Sequence, residues 1–328
     1  MPAYLHVLNG DCTADGLRGS GVPGDLAVWA DVLWSGPLPD TDDPEAWRRA
    51  RAGHLTGSSV PEYEQASSLM RDWDAPLTRW REYREVVFWF EHDLFDQALL
   101  VRHLAGFSKQ GAEPGQLSLI CIDHFPGVEP FHGLGQLDGA QLLSLFPHRR
   151  PITAPQLELG RQAWEAFTAA SPTRLQGLAD PGSSELPFLA GAVRRYLEEY
   201  PALDTGLSRT ERTILEALAQ APSSPASLFL TVQNREERIF MGDLSFLEIL
   251  QGLAHPDASM IQLTVEPSAA TLPPGTAAIT PLGRQVLAGE VDRVALLGID
   301  RWYGGVHLQG RVVAWRWDAR RACVVASA

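Results

Sequence analysis

FWFEHDLFDQALL, which runs from Phe88 to Leu100, joins an apolar segment to an acidic step and then to a helical pattern. The apolar residues VVFWF at 86–90 are continuous rather than alternating, which is typical of a strand covered on both faces in a parallel sheet. Residues 94–106 predict the helix that follows. Glu91, His92 and Asp93 therefore fall where the chain leaves the core, at the edge of the predicted sheet.

Three further apolar segments share this character: YLHVL at 4–8, LAVWAD at 26–31 and LSLICI at 117–122. Helical patterns separate them, near 13–18 and over 61–82. Strands that alternate with helices predict βαβ units and a parallel sheet. We therefore expect residues 1–150 to form a Rossmann-like α/β domain with a mostly parallel sheet.

The strand signal fades after residue 150. Residues 151–203 predict a helical connector, and 204–328 predict a winged-helix-like C-terminal domain of helices followed by a small β element. Two capping boxes mark helix starts, Thr153 with Gln156 and Ser208 with Glu211. GIDRWYGGVHL at 298–308 is open to two interpretations, a tight turn packed on an aromatic residue or a binding loop.

Charge and hydropathy exclude several classes of protein. The net charge is −13, and residues 201–328 hold 11 Lys and Arg against 13 Asp and Glu, which makes nucleic acid an unfavourable partner. No apolar run reaches the ~18 residues of a membrane helix, and the N-terminus lacks a signal-peptide pattern, so we expect a cytoplasmic protein without membrane contact. The oligomeric state is left open.

Each of the four predicted strands is followed by an acidic residue, and the third and fourth add a histidine. Ligands bind open parallel sheets in the crevice beyond the carboxyl ends of the strands, so a shared site is predicted there. The expected catalytic residues are Glu91, His92 and His124, the expected metal ligands are Asp31, Asp93 and Asp123, and the expected ligand-binding residues are Asn9, Asp11, Asp31 and Asp96. The competing interpretation is that each acid caps the helix after its strand.

Adjacent residues of a strand point to opposite faces, so Glu91, His92 and Asp93 cannot all reach one atom. We expect Glu91 and His92 to face the crevice and Asp93 to cap the next helix. Crowded carboxylates repel one another, so either one is protonated or a divalent metal lies among them. A metal would suit a phosphoester ligand, with His92 or His124 as general base.

FHGLGQLDGAQLLSLF at 131–146 contains Gly133 and Gly135 ahead of a capping box formed by Asp138 and Gln141. Such a loop can bind an anion through its backbone N–H groups, or it can be a plain loop with a helix cap. The patterns of a nucleophile elbow, a zinc protease helix, a P-loop and an EF-hand are absent from the sequence.

The segments HVLNGD, LAVWADVLWSGPLP, FWFEHDLFDQALL and LSLICID together resemble the bacterial family catalogued as domain of unknown function 1835, over roughly residues 4–150. The segments GDLSFLEILQGLA, ITPLGRQVLAGEVDRVA and RWYGGVHL are similar to the C-terminal extension often joined to that family. The resemblance implies a cytoplasmic bacterial protein that pairs an α/β domain with a winged-helix-like tail, and it implies no catalytic roles.

Two functions are compatible with these patterns. One is a metal-dependent enzyme that acts on a phosphoester or nucleotide-like small molecule at the C-terminal rim of the sheet. The alternative is a ligand-sensing regulatory or protein-interaction protein with a winged-helix-like tail.

Overall fold

The first half of the chain alternates strands and helices. The computed structural model of the protein describes residues 3–56, 60, 62–179, 184–268 and 270–327. The strands of this half are β1 Tyr4–Leu8, β2 Asp25–Val28, β3 Gly36–Pro37, β4 Glu85–Glu91, β5 Leu117–Ile122 and β6 Arg150–Pro151. The α-helices are α1 Asp11–Arg18, α2 Pro44–Leu55, α3 Tyr63–Thr78, α4 Leu94–Lys109 and α5 Gly139–Leu145. Three short 3-10 helices lie at Trp80–Glu82, Leu134–Gln136 and Phe146–His148.

The second half is mainly helical and ends in short strands. Its helices are α6 Ala154–Thr168, α7 Thr173–Gln176, α8 Leu189–Leu197, α9 Arg209–Gln220, α10 Pro225–Gln233, α11 Asp243–Leu253, α12 Pro281–Leu287 and α13 Arg293–Leu297. Its strands are β7 Ile261–Val265, β8 Gly275–Ile279, β9 Ile299–Gly304, β10 Val306–Gly310, β11 Trp315–Asp318 and β12 Cys323–Ala326. The described helices are all too short or too polar to serve as a bilayer-crossing segment.

The central sheet has the strand order β2–β1–β4–β5–β6. The first four strands are parallel, and β6 runs antiparallel to β5 at the edge. The predicted mostly parallel, Rossmann-like α/β fold is therefore confirmed. Because the strands are parallel, Asn9 after β1 and Glu91 at the end of β4 lie at the same end of the sheet.

Both faces of the sheet are covered, which explains why its strands are continuously apolar. Phe88 and Phe90 pack on one face with α4, and α6 and α8 pack in turn against α4. Val87 and Trp89 point to the other face, into a separate apolar cluster with residues of α1 and α5. The predicted helical connector thus adds a helical layer over one face of the sheet.

The predicted capping boxes at Thr153, Ser208 and Asp138 are present, because each depends only on residues three positions apart. Helices α9, α10 and α11 are followed by the antiparallel pair β7–β8, while the winged-helix assignment of this tail stays a prediction.

GIDRWYGGVHL forms an antiparallel hairpin of β9 and β10. Most of the segment is therefore extended strand, whereas the sequence had suggested a tight turn packed on an aromatic residue or a binding loop. Strand β3, from the first half of the chain, pairs in parallel with β9, where Gly36 lies opposite Tyr303. This pairing brings the loop before β3 next to the C-terminal hairpin.

Candidate functional site

Three carboxylates meet where β4 passes into α4. Glu91 is the last residue of β4, Asp93 is the N-cap of α4 and Asp96 lies in its first turn. One oxygen from each side chain lies within 4.8 Å of the others, and the residues are only 5%, 3% and 1% exposed. We call Glu91, Asp93 and Asp96 the carboxylate cluster.

Local hydrogen bonds set the geometry of the carboxylate cluster. Asp93 Oδ1 accepts a bond from the Asp96 backbone N–H at 3.2 Å, which caps the helix as the sequence predicts. Asp96 Oδ1 accepts in turn from the Glu91 backbone N–H at 2.9 Å. The strand end and the first helical turn therefore hold the three side chains together within six residues of sequence.

Groups from two other elements complete the cluster. Asn9 Nδ2 donates to Asp96 Oδ2 at 2.9 Å and to Glu91 Oε1 at 3.4 Å, and the Leu134 backbone N–H donates to Glu91 Oε1 at 2.6 Å. Gly133 has φ +150°, and a Cβ at this position would lie 2.2 Å from Glu91 Oε2. The glycine loop, for which the sequence leaves open an anion-binding loop or a plain loop, thus packs at Gly133 against the side chain of Glu91.

Burial dominates the electrostatics of the cluster. Desolvation, aided by the charge of Asp93, raises the pKa of Glu91 to about 8, and desolvation raises the pKa of Asp93 to about 6. Desolvation and the charges of Glu91 and Asp93 raise the pKa of Asp96 well above its ordinary value. The cluster therefore either retains protons near neutral pH or requires a cation among its oxygens.

The cluster lines a cavity of about 400 Å³, which we call the main cavity. One side is built by the end of the sheet, the loop before β3 and the end of α2, with Asn9, Trp34 and His54. The other side is built by Phe240, Met241 and the N-terminal turn of α11. The site therefore lies between the α/β layer and the tail.

Arg238 joins the two sides of the main cavity. Its Nη1 donates to the carbonyl oxygen of His92 at 3.2 Å and to that of Phe188 at 3.4 Å. This contact fixes the segment before α11 against the turn between β4 and α4, directly beside the carboxylate cluster.

Of the predicted site residues, Asn9, Glu91, Asp93 and Asp96 line the main cavity. Asp11 is exposed at the start of α1 and does not line it. Asp31 does not line it either: its carboxylate is fully buried against Arg51, whose Nε and Nη2 donate to it at 2.8 and 2.6 Å. This corrects the expectation of Asp31 as a metal ligand, because its charge is already neutralised by a guanidinium.

The predicted histidines lie elsewhere, as does Asp123. His92 is buried between Phe131 and Phe188, with ring centroids 6.3 and 6.0 Å away, and it does not line the main cavity. Burial lowers its pKa. Asp123 and His124 are exposed and bonded to each other at 2.7 Å. The expectation that His92 shares the crevice with Glu91 is corrected, since Asp93 takes that place.

Sequence reasoning missed several cavity residues, chiefly His54, His132, Asp243 and Glu248. His54 Nε2 lies 3.2 Å from Ser35 Oγ, and burial together with the charge of Arg51 lowers its pKa to about 4, so its ring is neutral at physiological pH. The N-terminal turn of α11 lies opposite the carboxylate cluster because of long-range packing, for which the sequence carries no local signal.

Asp93→Ala is expected to lose about 0.5–2 kcal/mol of unfolding free energy relative to Asp93→Asn. Both changes remove the buried charge, but the Asn oxygen can still accept the Asp96 backbone N–H. Urea denaturation of the two variants measures the difference. Equal stability of the two would show that the cap contributes nothing.

Neither a scan against protein-family models nor a search of curated proteins finds a match to this chain. The resemblance to domain of unknown function 1835 therefore stays a prediction. A function for the protein rests on the chemistry of the main cavity.

Proposed function

We propose that the protein is a metal-dependent enzyme that acts on a phosphoester or nucleotide-like small molecule in the main cavity. One observation carries the proposal. The carboxylate cluster and the N-terminus of α11 line the same cavity, so groups that suit a cation and groups that suit an anion face one space.

The cation side is supported by the oxygen-rich cluster. Carboxylate oxygens are the ligands that Mg²⁺ and Mn²⁺ prefer. Asn9 and the Leu134 N–H hold two of the carboxylates, Asp96 and Glu91, in place, and Gly133 leaves room for the second oxygen of Glu91, Oε2. A bound divalent cation would polarise a phosphoryl oxygen and lower the pKa of a bound water.

The anion side is supported by α11. Gly242 at its N-cap has no side chain to satisfy the first amides, and the positive end of the helix favours negative charge. Asp243 Oδ1 accepts from the Leu244 N–H at 2.9 Å and occupies one of these amides. In the described part of the chain the cavity lining contains neither Lys nor Arg, so a phosphate would depend on the cation and these amides.

Mn²⁺ is expected to stabilise the wild-type protein and not Asp96→Asn. At 100 times its Kd, a ligand that binds only the folded state contributes ~2.7 kcal/mol, a Tm rise of about 4 °C for a chain of this size. Differential scanning fluorimetry and isothermal titration calorimetry measure the effect. Asp123→Asn is the matched control, since Asp123 follows a neighbouring strand outside the cavity and should leave the Mn²⁺ response intact.

Turnover separates an enzyme from a sensor. With Mn²⁺ present, we expect the protein to release phosphate or an alcohol from a panel of phosphomonoesters, phosphodiesters and nucleotides. Asp96→Asn should lower the rate at least 100-fold. Cation and ligand binding without turnover across the panel would overturn the enzyme proposal in favour of the ligand-sensing alternative.

A further inference from the structure

A second chamber of about 220 Å³ adjoins the main cavity. The two share five lining residues: Trp34, Ser35, His54, Ser245 and Glu248. We call these shared residues the junction. The residues that line only the second chamber follow α8 or belong to α11 and β9: Glu199, Ile249, Arg301, Trp302 and Tyr303. Trp34 and His54 therefore lie between the main cavity and the part of the second chamber that is lined by β9.

The second chamber differs from the main cavity in its chemistry. Four of its lining residues have aromatic rings, Trp34, His54, Trp302 and Tyr303, whereas the carboxylate cluster lies outside its lining. Trp302 already stacks on His307, and Tyr303 stacks on Tyr200, so each of these two has at most one ring face left for a ligand. Aromatic surfaces bind flat heterocycles by stacking, which contributes substantially for each nucleobase and tolerates any base.

Polar groups accompany these rings. Arg301 donates to Glu211 Oε1 at 3.0 Å, yet its side chain is still 34% exposed, and a guanidinium has five N–H donors in all. Ser35, Ser245 and Glu248 add donors and acceptors at the junction. A nucleobase presents both donors and acceptors on its edge, so this combination fits a base better than it fits an aliphatic or purely anionic group.

The order of the groups along the cleft matches the order of the parts of a nucleotide. The carboxylate cluster and the α11 N-terminus lie at one end, Trp34, the serines and Glu248 lie between the chambers, and Trp302 and Arg301 lie at the other end. The volumes of the two chambers place the cleft in the roughly 300–1,000 Å³ range of small-molecule sites.

We propose that the second chamber binds the base of a nucleotide whose phosphate occupies the main cavity. The proposal rests on the proposed function for its phosphate end and names the substrate class of that site. The base end depends only on the second chamber, so the two ends can be tested separately.

The experiment uses the full-length protein and calorimetric titrations. Adenosine, guanosine, cytidine and uridine are titrated without metal, which tests the second chamber alone. Nucleoside 5′-monophosphates and ribose 5-phosphate are then titrated in the presence of Mn²⁺, which tests both ends. We expect at least one nucleoside monophosphate to bind at least tenfold more tightly than ribose 5-phosphate.

Two variants test whether the second chamber is responsible. Trp302→Ala removes a ring that lines only this chamber, and Ile249→Trp fills it from α11. Each should abolish the tenfold advantage of the nucleotide while leaving the affinities of Mn²⁺ and ribose 5-phosphate unchanged. Trp315→Ala is the control, because Trp315 is a half-buried tryptophan that lines neither chamber.

The outcomes separate the two proposals. If Mn²⁺ binds but nucleotides bind no better than ribose 5-phosphate, or if the advantage survives in both variants, the base site is overturned and the proposed function stands. If nucleosides bind in a Trp302-dependent way but Mn²⁺ does not bind, the proposed function is overturned and the base site stands. If neither nucleosides nor Mn²⁺ bind, both are overturned.

Discussion

Asp31→Ala is expected to lower the free energy of unfolding by about 3–5 kcal/mol, because it leaves the guanidinium of Arg51 buried without a counter-charge. Both side chains are 0% exposed, and Arg51 contacts both carboxylate oxygens. Arg51 also donates to the carbonyl oxygens of Val32, Ser35 and Pro37, so the pair holds the loop that carries Trp34. Urea denaturation followed by tryptophan fluorescence and circular dichroism measures the loss.

Asp11→Ala is the matched control for this prediction. Asp11 is another acid that follows a sheet strand, but it is exposed, and its removal should change stability by no more than about 0.5 kcal/mol. The double variant Asp31→Leu with Arg51→Met should recover only part of the loss, since it removes the unpaired charge but also removes the donors to the carbonyl oxygens of Val32, Ser35 and Pro37. If Asp31→Ala were as stable as Asp11→Ala, the buried ion pair would not be what holds this loop.

Glu91→Gln is expected to remove part of the pH dependence of stability in metal-free protein. The pKa of Glu91 is about 8 in the folded protein and near its ordinary value when unfolded, so the folded state binds more protons between these values. The stability due to this proton is present at low pH and is lost as the pH rises toward about 8. Between about pH 6.5 and about pH 8.5 the wild type should lose ~2 kcal/mol more than Glu91→Gln.

The comparison between the two proteins isolates Glu91. Burial lowers the pKa values of His6, His54, His92 and His103, which makes their contribution to stability rise with pH, but these histidines are the same in both proteins. Denaturation curves in EDTA at several pH values give the two slopes. Parallel slopes for wild type and Glu91→Gln would mean that Glu91 is ionised throughout the range.

Much of the fold was predictable from short-range patterns. The continuous apolar runs indicated β1, β4 and β5 to within a residue or two, and LAVWAD indicated β2 although its last residues lie beyond the strand. The N-cap at Asp93 depends on a backbone N–H three residues away. Glu91, Asp93 and Asp96 lie within one strand end and one helical turn, so their proximity also follows from local geometry.

The exact faces at the strand end were harder to predict. The prediction that Glu91 and His92 face the crevice while Asp93 only caps α4 was wrong for His92, because Asp93 both caps the helix and lines the main cavity beside Glu91. His92 packs between two phenylalanines, one of which, Phe188, is far away in sequence.

The sequence by itself determined the parallel sheet, the helix caps and the acidic step after β4, because each depends on periodicity or on hydrogen bonds between near neighbours. Only the tertiary structure decided which acids are neutralised and what closes the site. Arg51 from α2 forms an ion pair with Asp31, and the pairing of β3 with β9 brings Trp302 toward Trp34. Helix α11 lines the main cavity opposite the carboxylate cluster. A buried carboxylate can be neutralised by any cationic side chain that the fold places beside it. Its partner therefore depends on long-range contacts, which leave no local pattern in the sequence.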